Sequence, residues 1–255
     1  MEHKYVAVEK RGEIAFLTLD RSPGNVLNQE LFTEISQTLE ELDSEKQTRL
    51  IIVRGAGENF CLGADVAEII TLDQTGCRNF FLGLNNMYKT FHSISKLTIA
   101  MVHGYATAGG TGIVLSCDLA VASEDAHFGT TAVNVGLACM GPTAAMLPQV
   151  TGRKKALEMG LTGQIINAQK AEKLGIVNIV CPKKELASAT MELAKKILSK
   201  NPISIVMGKR NFYTCADMEY DKALEHSAEM LAILAATEEA KEGMRAFLEK
   251  REPKW

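Results

Sequence analysis

Short apolar runs that favour β-strands alternate with longer segments of helical periodicity along much of this chain. Residues 5–10 and 13–19 are two such runs, and the arginine–glycine pair between them predicts a hairpin. The next segment repeats apolar residues on one helical face, at Leu31, Ile35, Leu39 and Leu42. Residues 50–53 then read as a buried strand. This strand–helix–strand order implies crossover connections, so we predict a fold of the α/β class.

The same alternation continues to about residue 182 and then stops. Strands are predicted at residues 97–103, 119–122 and 176–180, with a helix of small residues at 109–117. After Pro182 only helical patterns remain, and Pro202 occupies a position typical of a first helical turn. We therefore predict a core over residues 1–182 and a helical region over residues 183–255. The apolar faces of that region exceed what one small domain buries, which predicts an oligomer.

Charge and cysteine usage exclude several classes of protein. Lys and Arg number 28 against 31 Asp and Glu, a net charge of −3 that offers no basic surface for nucleic acid. The most apolar stretch, residues 97–122, is interrupted by His103, glycines and Asp118, so no membrane helix is expected. The six cysteines are scattered without Cys-x-x-Cys spacing or a nearby histidine, which predicts no metal site and a reducing compartment. We expect a cytoplasmic protein.

Two segments of small residues are candidates for chemistry. In residues 60–66, Gly63 and Ala64 directly precede a helix that Asp65 can cap. In residues 103–112, a strand leads into small residues that begin another helix at Gly109. Backbone N–H groups at helix starts have no intrahelical partner, and two of them aimed at one point form an oxyanion hole. Either segment alone is equally compatible with an ordinary strand–helix turn, and neither has the spacing of a dinucleotide or phosphate loop.

Taken together, ordered segments of the chain resemble the enoyl-CoA hydratase/isomerase, or crotonase, family over nearly the whole length. The matching segments are residues 25–28, 60–66, 100–118, 126–136, 151–163 and 242–251. The resemblance implies a spiral of ββα units with two sheets nearly at right angles. It also implies that a helical C-terminal region mediates homotrimers, which often pair into hexamers.

The resemblance further implies which residues bind an acyl-CoA substrate. The N–H groups of Ala64 and Gly109 would hold the thioester carbonyl oxygen. The family's CoA-binding positions correspond to Asn25, Val26, Leu27, Ala64, Asp65, Val66, Phe247 and Lys250. The last two would come from the end of the same chain or a neighbouring one. Coenzyme A is then part of the substrate, and no separate cofactor is expected. Ala67 stands where relatives often have a phosphate-binding lysine.

The chain departs from the family at the acid/base positions. Hydratases of this family carry two glutamates, and the corresponding residues here are Gly112 and Ala132, which cannot transfer protons. Other candidates near the pocket are His103, Tyr105, His127, Thr130, Thr131, Asn134, Cys139 and Glu68. Each is expected to be structural, with Glu68 completing a capping box with Asp65. We also expect a side chain at Gly112 to be tolerated better than one at Gly109.

Three functions remain open. The first is an acyl-CoA enzyme that pairs an oxyanion hole with an unconventional proton relay, as in decarboxylation, thioester hydrolysis or specialised isomerisation. The second is a weak hydratase, and the third is a non-catalytic acyl-CoA-binding or assembly subunit. Apolar residues near the predicted pocket indicate only that the acyl group is apolar; they are Phe80, Phe81, Leu84 and Met140.

Overall fold

A six-stranded sheet forms the centre of the protein in the computed structural model, which describes residues 3–255. Its strands, in spatial order, are β1 (Val6–Arg11), β2 (Ile14–Leu19), β3 (Leu50–Gly55), β4 (Leu97–Val102), β6 (Leu119–Ser123) and β9 (Ile179–Cys181). The first two strands pair antiparallel as the predicted hairpin, and all other neighbours pair in parallel. The parallel pairs confirm the crossover connections.

A second, three-stranded sheet lies next to the first along the chain. It contains β5 (Tyr105–Thr107), β7 (His127–Gly129) and β8 (Ile165–Asn167) in that order. Only two residues, His103 and Gly104, separate the end of β4 from the start of β5, and there the chain passes from one sheet to the other. Gly104 has a φ of +57°, a left-handed conformation that glycine adopts without strain.

Within residues 3–255, twelve α-helices surround the sheets. They are α1 (Gln29–Ser44), α2 (Val66–Ile69), α3 (Gln74–Ser93), α4 (Gly109–Ser116), α5 (Pro142–Ala145), α6 (Leu147–Thr151), α7 (Arg153–Thr162), α8 (Ala168–Lys173), α9 (Leu186–Leu198), α10 (Pro202–Ala216), α11 (Tyr220–Ala235) and α12 (Glu238–Glu249). Asn28 caps the first of these, since its side chain accepts the Leu31 N–H at 2.8 Å. None of the helices within residues 3–255 is both long and apolar enough to cross a membrane.

The large sheet is buried on both faces, which explains its continuous apolar strands. Leu17 and Val53 belong to a core cluster that also contains buried residues of α1 and α3. Phe16 and Ile52 point the other way and belong to a second cluster that includes buried residues of α9. Helix α9 therefore packs on the sheet although it lies beyond residue 182.

The last strand of the sheet differs from its prediction. We expected residues 176–180, whereas β9 covers Ile179–Cys181. Ile176 and Val177 are buried, but they pack in the core just before the strand begins. Asn178 is the last residue before β9, and its side chain accepts the N–H of Ala120 in β6 at 2.8 Å. Hydrophobicity identified the buried residues but not the point at which ladder pairing starts.

A buried ion pair attaches α10 to the core. The Lys209 ammonium lies 2.9 Å from the Asp118 carboxylate, and only 3% and 7% of the two side chains are exposed. Lys209 also donates to the carbonyl oxygens of Phe91 and Lys96 at 2.9 and 2.8 Å. The carboxylate additionally accepts from Thr98. Both charges are thus compensated by hydrogen bonds, which a buried ion pair requires.

We expect Lys209→Met to lower the free energy of unfolding by about 3–5 kcal/mol, because it leaves the Asp118 carboxylate buried without its cation. Denaturant unfolding followed by circular dichroism measures this change. Lys196→Met is the matched control, since Lys196 pairs with Glu192 on the surface with 70% of each side chain exposed. That control should cost at most about 0.5 kcal/mol. Equal costs for the two variants would contradict a stabilising role of the buried pair.

Candidate active site

A cavity of about 390 Å³ opens between α3, the start of α4 and the segment that follows β7. Part of that segment is a 3-10 turn, Thr131–Val135. The apolar wall of the cavity consists of Leu62, Val66, Phe81, Leu84, Val135, Leu137, Ala138 and Met140. Within residues 3–255, no acidic, basic or histidine side chain lines it. The cavity is therefore suited to an apolar group that approaches backbone atoms.

The N–H of Ala64 is free at the rim of this cavity. Its neighbours are engaged, because the Leu27 N–H donates to the Gly63 carbonyl at 2.7 Å and the Asp65 N–H donates to the Leu27 carbonyl at 3.0 Å. This parallel bridge leaves the intervening N–H of Ala64 without an acceptor in the described part of the chain. Ala64 itself lines the cavity.

The N–H of Gly109 is free because Gly109 is the first residue of α4. The preceding Ala108 donates its N–H to the Gly129 carbonyl at 2.7 Å, and helical bonding begins only when Gly112 donates to the Ala108 carbonyl at 3.1 Å. Ala108 has a φ of 48°, a rare conformation for a residue with a side chain. This turn directs the start of α4 toward the cavity, which Gly109 also lines.

The two segments are in direct contact. A Cβ placed on Gly63 would lie 3.1 Å from the Gly109 nitrogen and 2.8 Å from the Ala108 Cβ, so only glycine allows this approach. Gly63 also has a φ of +98°. Two neighbouring N–H groups, one at a helix N-terminus, can stabilise an oxygen that carries negative charge.

Asp65 and Arg21 hold the Ala64 segment in place. Asp65 caps α2 as predicted, accepting the N–H groups of Ala67 and Glu68. It also accepts from Arg21 at 2.7 Å, and Arg21 donates to the Val26 carbonyl at 2.9 Å. The predicted capping box is wrong, because the Asp65 N–H is already bonded to Leu27. The Glu68 carboxylate instead accepts the N–H of Gln29 at 3.1 Å.

Asn25 organises the loop that carries Val26 and Leu27. It is 2% exposed, with a left-handed φ of 53°. Its side-chain nitrogen lies 2.9–3.1 Å from three carbonyl oxygens, those of Ala56, Asn59 and Phe60. Since this amide is fully engaged inside the protein, any contact of Asn25 with a ligand has to involve its backbone.

Tyr88, on α3, fills the space beside Gly112. A Cβ on Gly112 would lie 2.8 Å from the Tyr88 hydroxyl oxygen and 2.9 Å from its Cζ. A Cβ on Gly109 is also crowded, lying 2.9 Å from Leu27 Cδ1 and 3.1 Å from the Tyr88 hydroxyl. That a side chain is tolerated better at Gly112 than at Gly109 therefore stays a prediction. Ala132, the other position without a carboxylate, lines the cavity in the 3-10 turn.

The Tyr88 hydroxyl donates to the Gly109 carbonyl at 3.1 Å, and the residue lines the cavity although only 6% of it is exposed. Burial raises the pKa of the Tyr88 phenol well above its ordinary value, so the hydroxyl stays protonated at neutral pH. Sequence reasoning missed this residue. Its spacing from Phe80, Leu84 and Phe91 matches that of an ordinary buried helix face.

The other polar candidates divide into two groups. Thr130, Thr131 and Cys139 line the cavity, and the Thr130 hydroxyl is buried without a hydrogen-bond partner among the described residues. The remainder lie elsewhere and do not line it: Glu68, His103, Tyr105, His127 and Asn134. His127 stacks on Tyr105 with ring centroids 4.8 Å apart, and His103 bonds to the Gly57 carbonyl at 2.9 Å. These contacts support structural roles for the histidines.

The two predicted C-terminal CoA residues, Phe247 and Lys250, do not line the cavity. Phe247, on α12, is 82% exposed and lines a separate apolar groove with Leu231 and Trp255. Lys250 is the C-cap of the same helix. Among residues 3–255 there is no group of three His, Cys, Asp or Glu side chains placed to hold a metal ion.

The chain is similar in sequence and in fold to known proteins. Residues 9–255 match the family model described as enoyl-CoA hydratase/isomerase. A short-chain-enoyl-CoA hydratase of Clostridium acetobutylicum is 32% identical over 253 residues, covering 98% of this chain and 97% of that protein. A mouse mitochondrial enoyl-CoA hydratase domain-containing protein 3 is 36% identical over 227 residues, 86% of this chain and 73% of that protein. The crystal structure of a Mycobacterium smegmatis enoyl-CoA hydratase superposes with a TM-score of 0.96 at 31% identity, covering 99% of both chains.

Proposed function

The chain belongs to the enoyl-CoA hydratase/isomerase family, and we propose that it converts an acyl-CoA thioester whose carbonyl oxygen binds the N–H groups of Ala64 and Gly109. The observation that carries this proposal is the pair of free N–H groups on two segments that are in contact at Gly63 and Gly109 and that both line the apolar cavity. Coenzyme A would extend over the Asn25–Leu27 loop and the start of α2, as the resemblance of these segments implies.

Such a site favours reactions that pass through a thioester enolate. The negative charge of an enolate concentrates on one oxygen, so two preorganised donors stabilise the transition state more than the ground state. Water is displaced by the apolar wall, which strengthens these interactions. Binding of the remote coenzyme A portion supplies the energy that holds the carbonyl in place.

Decarboxylation is the reaction that best matches the groups in the cavity. In an α-carboxyacyl-CoA, the bond between the α-carbon and the carboxylate breaks, CO₂ leaves, and the bonding electrons form the enolate. No base is required for this step. The uncharged lining also disfavours the localised charge of the carboxylate relative to the dispersed charge of the transition state. Hydrolysis or isomerisation would need an activated water or a base, which the lining residues do not offer.

Hydration is the second candidate, since the Clostridium relative is named as a short-chain-enoyl-CoA hydratase. Hydration requires a base that activates water and an acid that protonates the α-carbon. Gly112 and Ala132 provide neither, so we propose that hydration is at most a slow side reaction of this protein. A non-catalytic acyl-CoA-binding subunit is the alternative from another functional class.

We expect CoA thioesters to stabilise the fold against heat. A ligand present at about 100 times its dissociation constant adds roughly 2.7 kcal/mol to the free energy of unfolding. Thermal-shift titration with malonyl-, crotonyl- and acetyl-CoA measures this, with free coenzyme A as the control for the thioester carbonyl. No shift at millimolar ligand would rule the proposal out. A shift without turnover of any of the three would instead support the binding-subunit alternative.

We further propose that the helical C-terminal region forms a homotrimer, or a dimer of trimers. Large apolar side chains are exposed along α10, α11 and α12, namely Phe212, Tyr220, Leu231, Ile233, Phe247 and Leu248. An oligomer would bury them. In such an assembly Phe247 and Lys250, which do not line the cavity of their own chain, would reach the coenzyme A site of a neighbouring subunit.

A further inference from the structure

The side chain of Tyr88 occupies the volume next to Gly112 at the inner end of the cavity. Its hydroxyl oxygen and ring carbon Cζ lie 2.8 and 2.9 Å from the position of a Cβ on Gly112, and the hydroxyl lies 3.1 Å from that of a Cβ on Gly109. A side chain pointing from residue 112 toward the cavity would therefore meet the phenol first. The Tyr88 hydroxyl, which carries a proton, thus occupies the space where a side chain of residue 112 would lie.

We propose that the Tyr88 hydroxyl is the proton donor that converts the thioester enolate into product. This inference rests on the proposed function, because it requires an enolate bound at the N–H groups of Ala64 and Gly109. The Tyr88 hydroxyl donates a hydrogen bond to the carbonyl of Gly109, and Gly109 is also the residue that presents one of those N–H groups. The proposal places the α-carbon, which is bonded to the thioester carbonyl carbon, on the side of Gly109 where the phenol lies, 3.1 Å from the position of a Cβ on Gly109.

The proton balance of the step is complete. The enolate's electron pair forms a new C–H bond at the α-carbon with the Tyr88 hydroxyl proton, and the O–H bond breaks to leave a phenolate. Water entering from the cavity mouth then returns a proton to the phenolate, and the hydroxide that remains combines with the released CO₂ to give bicarbonate. A phenol is a much stronger acid than the α-carbon of a thioester, so transfer to the enolate is favourable. Burial keeps the Tyr88 pKa high, and a neutral phenol at pH 7 is the form that can donate.

The other lining groups are weaker candidates for this role. Cys139 also lines the cavity, but its Sγ lies 3.4 Å from the position of a Cβ on Gly160, which places it against α7. Thr130 and Thr131 are alcohols, which are weaker acids than a phenol. Only the tyrosine combines acidity with a hydrogen bond to the oxyanion segment.

Tyr88→Phe tests the proposal, because it keeps the ring beside Gly112 and removes only the hydroxyl. With methylmalonyl-CoA in D₂O, the wild type should release propionyl-CoA carrying deuterium in one configuration at the α-carbon. The variant should turn over about 10²–10⁴ times more slowly and give a racemic product, since water then delivers the proton. Affinity for the substrate, from thermal-shift titration, should change by less than about threefold, or 0.7 kcal/mol.

Tyr213→Phe is the matched control. Tyr213 also buries a hydroxyl, bonded to Asp118 at 2.9 Å, but it does not line the cavity. It should keep both rate and configuration. A Tyr88→Phe variant with wild-type rate and a single configuration would overturn the proton-donor role and leave the proposed function standing. Affinity and rate falling together would also overturn it, in favour of a residue that merely positions Gly109. A wild type without turnover would overturn the proposed function, and this inference with it.

Discussion

Gly109→Val is expected to reduce turnover of an acyl-CoA substrate by at least about 10²–10³-fold, the effect of losing one oxyanion donor. The branched side chain has no room, since even its Cβ would lie 2.9 Å from Leu27 Cδ1 and 3.1 Å from the Tyr88 hydroxyl. The helix start would have to shift, which moves the N–H away from the thioester oxygen. Steady-state assays and thermal-shift titration with the same thioester measure the loss of turnover and of binding.

The control for this substitution has to be another helical glycine. Gly112 is unsuitable because Tyr88 crowds it, whereas a Cβ on Gly208 in α10 meets nothing within 4 Å. Gly208→Val should therefore retain activity and melt close to the wild type. If Gly109→Val keeps its activity while folding normally, the N–H of Gly109 does not bind the thioester oxygen and the proposed oxyanion hole is misplaced.

Hydration of crotonyl-CoA by the wild type is expected to be about 10²–10⁴-fold slower than with a positioned carboxylate, because no base in the cavity activates water. The oxyanion donors alone leave a residual rate, because they still stabilise the enolate. Loss of the enoyl-thioester absorbance measures the reaction. Rapid hydration by the wild type would mean that a side chain we regard as structural transfers the protons.

Restoring the carboxylates requires one more change than the sequence suggests. Gly112→Glu with Ala132→Glu should not produce a hydratase, because Tyr88 blocks the side chain at position 112. Adding Tyr88→Ala vacates that space, so the triple variant should hydrate crotonyl-CoA faster than the wild type. The Tyr88→Ala single variant is the control, as it opens the cavity without adding an acid. If the triple variant and Tyr88→Ala hydrate crotonyl-CoA at the same rate, positions 112 and 132 do not correspond to the family's two glutamates.

The sequence predicted the fold class well, and the solved relatives confirm it as the crotonase fold. Apolar residues recur at strand or helix spacing when one face of the element is buried, and this spacing predicted the hairpin and α1. The ladder pairing of β9 depends on distant partners, so its start was misplaced. The division at residue 182 stays a prediction, although α9 packs against the sheet.

The site was only partly predictable. The two small-residue segments that precede helices were visible in the sequence, whereas Ala64 and Gly109 were named from the family resemblance. The free N–H of Ala64 depends on a bridge to the distant Leu27. The position of Tyr88 is a tertiary property, because nothing local distinguishes a tyrosine that faces a cavity from one that fills a core. A glycine at position 112 was itself a signal, since a buried helical glycine often marks the close approach of a bulky neighbour.

The contacts of Lys209 have a consequence for how this chain can diverge. The Lys209 ammonium donates to the carbonyl oxygens of Phe91 and Lys96 and so fixes the C-terminal end of α3. Phe91 lies only three residues after Tyr88. Helix α10 and the part of α3 that carries Tyr88 thus share one anchor, and the C-terminal region is not an exchangeable module. A chimera that takes this region from a relative would keep the geometry around Tyr88 only if it also carried a cation at position 209.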